Sequence, residues 1–340
     1  MKNKKQKDYI SMWFEVRKEQ GINDDMSVGL MNTVTHEIEW QYFPHSEMDG
    51  LGGLATVLRD HSYPCRDLPV SSDKHKPSLI ELFKLMFGAP KIEVPKTIRW
   101  KKVYVDYRQL NPENTNDAPI VSALFNGADT ALIKSQAKKH KVALGVYLFW
   151  ALNKAIADNL LDGEQEYYWF YPINLRGPLN FGDDTRNYSS GVNVHLSNNI
   201  APNVIQKRIK TQLKSKSYWV LWWQANIGKL IGLGGVRWLY KVVSQRQFYA
   251  GSFSFLGSWP LKDAGNPPIK PDEVWVTCGI GTQNYPVSTG MMIWHNQLTL
   301  GLKLHPYICN DISLTEQCMN DWKRNLLEGH EEAGKQGISE

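Results

Sequence analysis

The chain has 340 residues, 42% hydrophobic and 21% charged, which is enough to bury a sizeable core as one large domain or two ordinary ones. Its formal net charge of +5 is spread along the sequence rather than gathered into a basic stripe, which argues against a nucleic-acid partner. Cys65, Cys278, Cys309 and Cys318 form no CxxC pair and stand at no zinc-ligand spacing, so no metal centre is expected and the thiols read as buried groups of a cytoplasmic protein.

The Lys-rich start, Met1 to Lys7, runs into Asp8, Glu15 and Arg17 rather than the apolar stretch of a secretory signal. Residues 1–30 read as irregular and polar, with at most a short strand over Ile10 to Val16. From Val34 to Phe43 apolar and polar residues alternate, the period of a half-buried strand. The segment His45-Ser46-Glu47-Met48-Asp49-Gly50 comes next, and Leu51, Leu54, Val57 and Leu58 then recur at helical spacing. Residues 62–98, with five prolines, read as a linker carrying one short helix at Leu79 to Phe87, and a strand is expected over Trp100 to Tyr107.

The second half has clearer patterns. Helices are expected over Asn126 to Lys141 and Ala143 to Leu161, the latter with an apolar stripe of Leu144, Leu148, Leu152 and Ala155 that Asp162-Gly163 ends. Tyr167 to Asn174 and Gly191 to Leu196 read as strands, and Pro202 to Ser215 as a basic amphipathic helix. Trp219 to Tyr240 is the most apolar region, but Lys229, Arg237 and four glycines make it a poor membrane span. Two readings remain for it: a buried helix and turn, or a Trp-bearing surface that meets a membrane interface or holds an acyl chain. Strands are expected at Phe253 to Leu256, Glu273 to Ile280, Gly290 to Trp294 and Gln297 to His305, the last two as a hairpin across His295-Asn296. Ser313 to Leu327 closes as a helix. The pattern is α/β or α+β, without internal repeat.

Competing chemistries lack their signatures. There is no G-x-S-x-G nucleophile elbow and no P-loop, and Gly232-Leu233-Gly234-Gly235 lies in an apolar helical stretch rather than after a strand. No His pair has metal-ligand spacing. What stands out is His45, at the end of a strand, with Asp49 four residues on. Histidine is the side chain best suited to taking a proton near neutral pH. Two readings of Asp49 are open: it orients His45 as a dyad, or it points away and braces the loop. Gly50 permits a positive φ or a close chain approach.

The H-x-x-x-D-G motif, together with several downstream segments, resembles the CoA-dependent acyltransferase superfamily: chloramphenicol acetyltransferase-like enzymes, peptide-synthetase condensation domains, plant acyltransferases and bacterial wax ester synthases. The run Ala137 to Ala155 is similar to the family's helix pair. Tyr171-Pro-Ile-Asn-Leu-Arg176 is similar to its strand ending in Asn-Leu-Arg. Arg186-Asn187-Tyr188-Ser189 resembles its G-N-Y segment with Arg in place of Gly, and Ser252-Phe-Ser-Phe-Leu-Gly257 its S-N-x-G strand with Phe in place of Asn. The likeness covers roughly residues 30 to 327. Pro44-His45 replaces the usual double His, and 44 residues precede the motif, fewer than in relatives.

The resemblance implies two chloramphenicol-acetyltransferase-like subdomains with a channel between them: a shortened first one in residues 1–95 carrying the motif and linker, and a second in 96–340. It implies acyl transfer from acyl-CoA, a co-substrate rather than a bound cofactor, or from an acyl carrier protein. The acceptor is a small molecule or lipid bearing a hydroxyl or amine. His45 is then the base, and Asp49, Gly50 and Arg176 its structural support, with Asp49 and Arg176 paired behind the loop. Ser254, Gly257 and Asn187 are candidates for the oxyanion site or channel wall. Lys138, Lys139, Lys141, Lys207, Arg208 and Lys210 are candidates for CoA phosphates or an acidic carrier. Alternatives left open are a degenerate, non-catalytic member that binds a partner, and condensation-type amide formation. Peripheral membrane contact through 219–240 and a homo-oligomer that completes the site are further expectations.

Overall fold

The computed structural model describes residues 9–63, 65, 68–71, 73–88, 97–104, 118–179, 184–244, 247–260, 270 and 272–329. Helix α1 (Tyr9–Glu19) precedes a hairpin of β1 (Asp25–Asn32) and β2 (Ile38–Pro44), then helices α2 (Gly50–Asp60) and α3 (Leu79–Gly88). The second half runs β3 (Val121–Phe125), α4 (Gly127–Lys139), α5 (Leu144–Leu160), β4 (Glu166–Asn174), α6 (Arg176–Leu179), β5 (Ser189–Ser197), α7 (Pro202–Ser215) and α8 (Tyr218–Ser244). It ends with β6 (Gly251–Ser252), β7 (Phe255–Trp259), β8 (Glu273–Cys278), β9 (Val287–Trp294), β10 (Gln297–Leu304) and α9 (Ile312–Glu328).

Two sheets result. A small antiparallel sheet has the order β2-β1-β8, and a larger one the order β3-β10-β9-β6-β4-β5 with β7 also on β9. A strand from the second half, β8, therefore completes the sheet of the first. The large sheet is antiparallel at its outer pairs and parallel where the two-residue β6 joins β4 to β9.

Strand β9 shows why the layers stack as they do: every residue in it is buried, so both faces are covered. Val287, Met291 and Ile293 face a core shared with Leu148, Phe149, Leu152 and Ile156 of α5 and Trp322 and Leu326 of α9. Met292 and Trp294 face a second core with Trp275 of β8 and Leu54, Val57 and Leu58 of α2. The buried Asn153 of α5 is tied to the sheet below it. Its Oδ1 accepts from Tyr167 Oη and Trp169 Nε1, each at 3.0 Å, and its Nδ2 donates to the Ser197 carbonyl. The β9–β10 turn places His295 at φ 43° and Asn296 at φ 67°, the two left-handed positions of a tight hairpin.

Two elements differ from the sequence expectation. Residues 10–16 lie in helix α1, not a strand. Met12 and Val16, four apart, pack on Val236 and Tyr240 of α8, so the period-2 look of Ile10, Met12, Phe14 and Val16 is coincidental. Residues 25–32, expected as irregular, form β1. It is the central strand of its sheet and is buried on both faces, so the alternation of Met26, Val28 and Leu30 with Asp25, Ser27 and Gly29 marks no solvent face.

The strand expected at Trp100 to Tyr107 is reduced to one bridge, Trp100 to Leu161. Lys101 and Tyr104 spend their amides on two different partners, the carbonyls of Leu160 and Tyr307, and 105–107 lie outside the described residues. Of the strand expected at 253–256 only Phe255 and Leu256 are in one, β7, whose pairing with β9 shifts register between Phe255 and Ser258; residues 253 and 254 lie between β6 and β7. The apolar region 219–240 is a single helix broken at Gly232, whose φ of 63° kinks it; among the described residues no helix is long and apolar enough to cross a membrane.

The sheets pack tightly at Gly290 and Gly301, where an added Cβ would lie 2.3 Å and 2.2 Å from the Thr277 carbonyl oxygen. Gly290→Ala should therefore destabilise the fold by about 1–3 kcal/mol, as overpacking does. Gly127→Ala, with nothing within 4 Å, should be neutral or stabilising by up to ~1 kcal/mol. Chemical denaturation of both variants checks this; equal midpoints would contradict the packing described.

Candidate active site

His45 stands directly after β2. Its backbone amide donates to the Asp24 carbonyl at 3.0 Å, which anchors it to the start of β1. The turn after it brings the Met48 carbonyl to 2.8 Å from His45 Nδ1. A carbonyl only accepts, so Nδ1 carries the proton and Nε2 is the basic nitrogen. Asn187 donates from Nδ2 to the His45 carbonyl at 2.8 Å; Nδ2 and the protonated Nδ1, 3.5 Å apart, are both donors and make no hydrogen bond. Asn187 Oδ1 in turn accepts from the Ser189 amide and hydroxyl. Phe14 of α1 meets the imidazole edge to face, with ring centroids 5.3 Å apart. Burial is the largest influence on the ring; it outweighs the Met48 hydrogen bond and the Asp49 charge and lowers the His45 pKa below its ordinary 6.5. The imidazole is thus neutral and ready to accept a proton at pH 7.

Asp49 turns away from His45. It is the N-cap of α2, accepting from the Gly52 amide at 2.9 Å. The same carboxylate takes Arg176 in a two-point grip, Nη1 to Oδ2 at 2.7 Å and Nη2 to Oδ1 at 3.0 Å, and accepts from the Tyr188 amide at 2.9 Å. Arg176 is fully buried and completes its donors on the Asp184 carbonyl, the Arg186 carbonyl and Asn174 Oδ1. A bidentate charge pair with every partner filled is the one form in which two buried charges hold a loop without a stranded group.

At Gly52 an added Cβ would fall 1.8 Å from the Thr185 carbonyl, so only glycine lets α2 pass beside the 184–188 segment. Gly50 does not take a positive φ; the close approach is what matters there, with Leu256 Cδ2 3.2 Å from where a Cβ would stand.

His45 lines a cavity of about 350 Å³, with Asn187, Ser254, Arg17 of α1 and the apolar wall of Trp13, Phe14, Leu221 and Trp222. A second cavity of about 320 Å³ includes Gly257 and Pro69 to Ser71. The two share Asp49, Gly50, Pro172, Ser189, Ser254 and Leu256, so the loop that aims His45 also divides the two chambers. Asn187 reaches the His45 backbone, which makes it a positioning group, while Ser254 stands on the shared wall. None of Lys138, Lys139, Lys141, Lys207, Arg208 and Lys210 lines either chamber.

No Ser or Cys side chain among the described residues hydrogen-bonds to His45. Cys278 lines the first chamber, but burial pushes its thiol up to about 12, which leaves it inert as a nucleophile at neutral pH. What the sequence reading missed is α1: Trp13, Phe14 and Arg17 recur at helical spacing and supply one wall. That spacing was the available signal.

Neither a family model nor a curated protein sequence matches the chain. Solved structures do. The chain is similar to the epimerization domain from the third module of tyrocidine synthetase B, at 12% identity and TM-score 0.51, covering 85% of this chain and 68% of that one. It is similar to the EpoB cyclization-docking bidomain of a nonribosomal peptide synthetase from Sorangium cellulosum, at 14% identity and TM-score 0.50, covering 86% and 61%. It is also similar to the nonribosomal peptide synthetase FmoA3 in its AMPPNP-bound form, at 12% and 0.51, covering 84% and 30%. The mixed α/β architecture is therefore the condensation-domain fold, which is chloramphenicol-acetyltransferase-like.

Asp49→Ala and Arg176→Leu should each cost about 3–5 kcal/mol, because each strands a buried charge. In a double-mutant cycle, the Asp49→Asn/Arg176→Leu pair should lose clearly less than the sum of its single changes. Urea unfolding measures all of these, and strict additivity would mean the pair is not coupled.

Proposed function

We propose that the protein is an acyltransferase that moves an acyl group from a thioester donor onto an amine or hydroxyl acceptor, with His45 as the base. The observation that carries this reading is a neutral histidine, its proton fixed on Nδ1 by the Met48 carbonyl, lining the first of two adjoining chambers and aimed by the loop whose Asp49 and Gly50 line both. The acceptor nitrogen or oxygen attacks the thioester carbonyl carbon while its proton passes to His45 Nε2. The tetrahedral oxyanion collapses and the carbon–sulfur bond breaks. The proton then moves from the imidazolium to the departing thiolate, which restores the neutral ring. No covalent enzyme intermediate is needed, in keeping with the lack of a Ser or Cys hydrogen-bonded to His45 among the described residues.

General-base assistance contributes typically ~10²–10⁴-fold, and holding two substrates together supplies the rest. Ser254, on the wall both chambers share, and the backbone near Gly257 are the groups we assign to the developing oxyanion. Trp13, Phe14, Leu221 and Trp222 suit an apolar acyl or acceptor group. The donor is an acyl-CoA or an acyl carrier protein. The likeness to peptide-synthetase domains favours a carrier, and amide formation is then the condensation-type variant of the same step.

Thioester consumption with acyl-CoAs of several lengths and with an acyl carrier protein, in the presence of amine and alcohol acceptors, tests this. His45→Ala should lower turnover by about 10²–10⁴-fold. Wild-type kcat/KM should fall toward acid with a midpoint below 6.5, because protonation of His45 removes the base. No turnover with any pair, or turnover indifferent to His45→Ala, would leave the fold as a binding scaffold.

A further inference from the structure

Two arginines stand near His45, and they differ in how their donors are used. Arg176 uses all five N–H groups within the protein. Among the described residues Arg17, on α1, makes one ion pair, Nη2 to Asp24 Oδ1 at 2.5 Å, and its buried Nε has no hydrogen-bond partner. Its side chain is 15% exposed and lines the His45 chamber, where it is the only Lys or Arg among the described lining residues. Asp49, the chamber's acid, is already taken by Arg176.

Phe14 touches both Arg17 and His45. The guanidinium carbon lies over its ring at 5.5 Å, and the imidazole meets the ring at 5.3 Å. Asp24 does not fully answer Arg17. Burial raises the Asp24 carboxyl to about 6 despite the arginine beside it, so this pair is less well solvated than the Asp49–Arg176 pair, whose oxygens all find donors.

The geometry points to Arg17 as the recognition group for a carboxylate on the substrate that enters the His45 chamber. This inference rests on the transfer reading above and narrows its substrate class. An arginine that shares the chamber and an aromatic neighbour with the base meets a group of the substrate close to the reacting centre. The phosphates of CoA lie a whole pantetheine arm from the thioester and do not fit that place. A carboxylate that close belongs to an amino-acid or hydroxy-acid acceptor, whose apolar side chain would rest on Trp13, Leu221 and Trp222. The alternative source of the same chemistry is an acyl group ending in a carboxylate.

Binding is read from tryptophan fluorescence, since Trp13 and Trp222 line the chamber, so the result does not depend on turnover. The full chain is titrated with L-phenylalanine and L-leucine against their C-terminal amides, and with succinyl-CoA against butyryl-CoA. The acid should bind at least about tenfold tighter than its amide, the scale of a charge-assisted hydrogen bond. Arg17→Met should abolish that preference, Arg17→Lys should retain part of it, and Asp24→Asn, which frees the guanidinium, should enlarge it. Circular dichroism and the melting temperature establish that each variant is folded.

An Arg17-dependent preference for succinyl-CoA alone upholds the carboxylate site and assigns it to the donor. Wild-type protein with no acid preference in either set, or folded Arg17→Met with the preference intact, overturns the inference. Arg17-dependent binding without acyl transfer would keep this site and sink the transferase reading instead.

Discussion

The bidentate pair between Asp49 and Arg176 is the constraint on which the rest of the site depends. It joins the start of α2 to the segment after β4, two parts of the chain 127 residues apart. Such a pair adds little net stability over an apolar contact of the same volume, because both charges must leave water. Its value is geometric. With Gly52 and Tyr188 amides on the same carboxylate and three acceptors around the guanidinium, the loop has one arrangement that satisfies every group. Within that arrangement the Met48 carbonyl faces His45, and the imidazole has one tautomer and one basic nitrogen. The four-residue spacing between His45 and Asp49 therefore separates two tasks, one toward the chamber and one toward the scaffold.

Much of this was legible in the sequence because it depends on local patterns. The helical repeat after Gly50, the apolar stripe of α5 and the strand leading to Arg176 each announce themselves within about a dozen residues. The positions of His45 and Arg176 at strand ends are set by those elements. Their partners are not. That Asn187 holds the His45 carbonyl, or that Met48 fixes the tautomer, depends on how the 184–188 segment crosses the loop, and no periodicity encodes such a crossing.

The first thirty residues were the hardest to read, for opposite reasons in their two parts. In α1 a few apolar residues fit both a period of two and a period of 3.6, and only packing against α8 decides between them. In β1 the strand is covered on both faces, so Asp25, Ser27 and Gly29 interrupt the apolar run without marking a solvent face. These are the residues that bring Phe14 and Arg17 to the His45 chamber. Helix α1 closes that side of the chamber and carries Arg17, the one Lys or Arg among its described lining residues. The strand β8 acts in the same way from the other end of the sequence, reaching across to finish the small sheet while Thr277 and Cys278 line the chamber.

The proposed chemistry depends on the state of one imidazole. Nitrogen-15 NMR of histidine-labelled protein, titrated across neutral pH and assigned by comparison with His45→Gln, reports both the tautomer and the titration midpoint of His45. The structure predicts the Nδ1–H tautomer in the neutral form and a midpoint below 6.5, with a mixture of tautomers once Asp49→Asn loosens the loop. A predominant Nε2–H tautomer in the wild type, or a midpoint at or above 6.5, would contradict it.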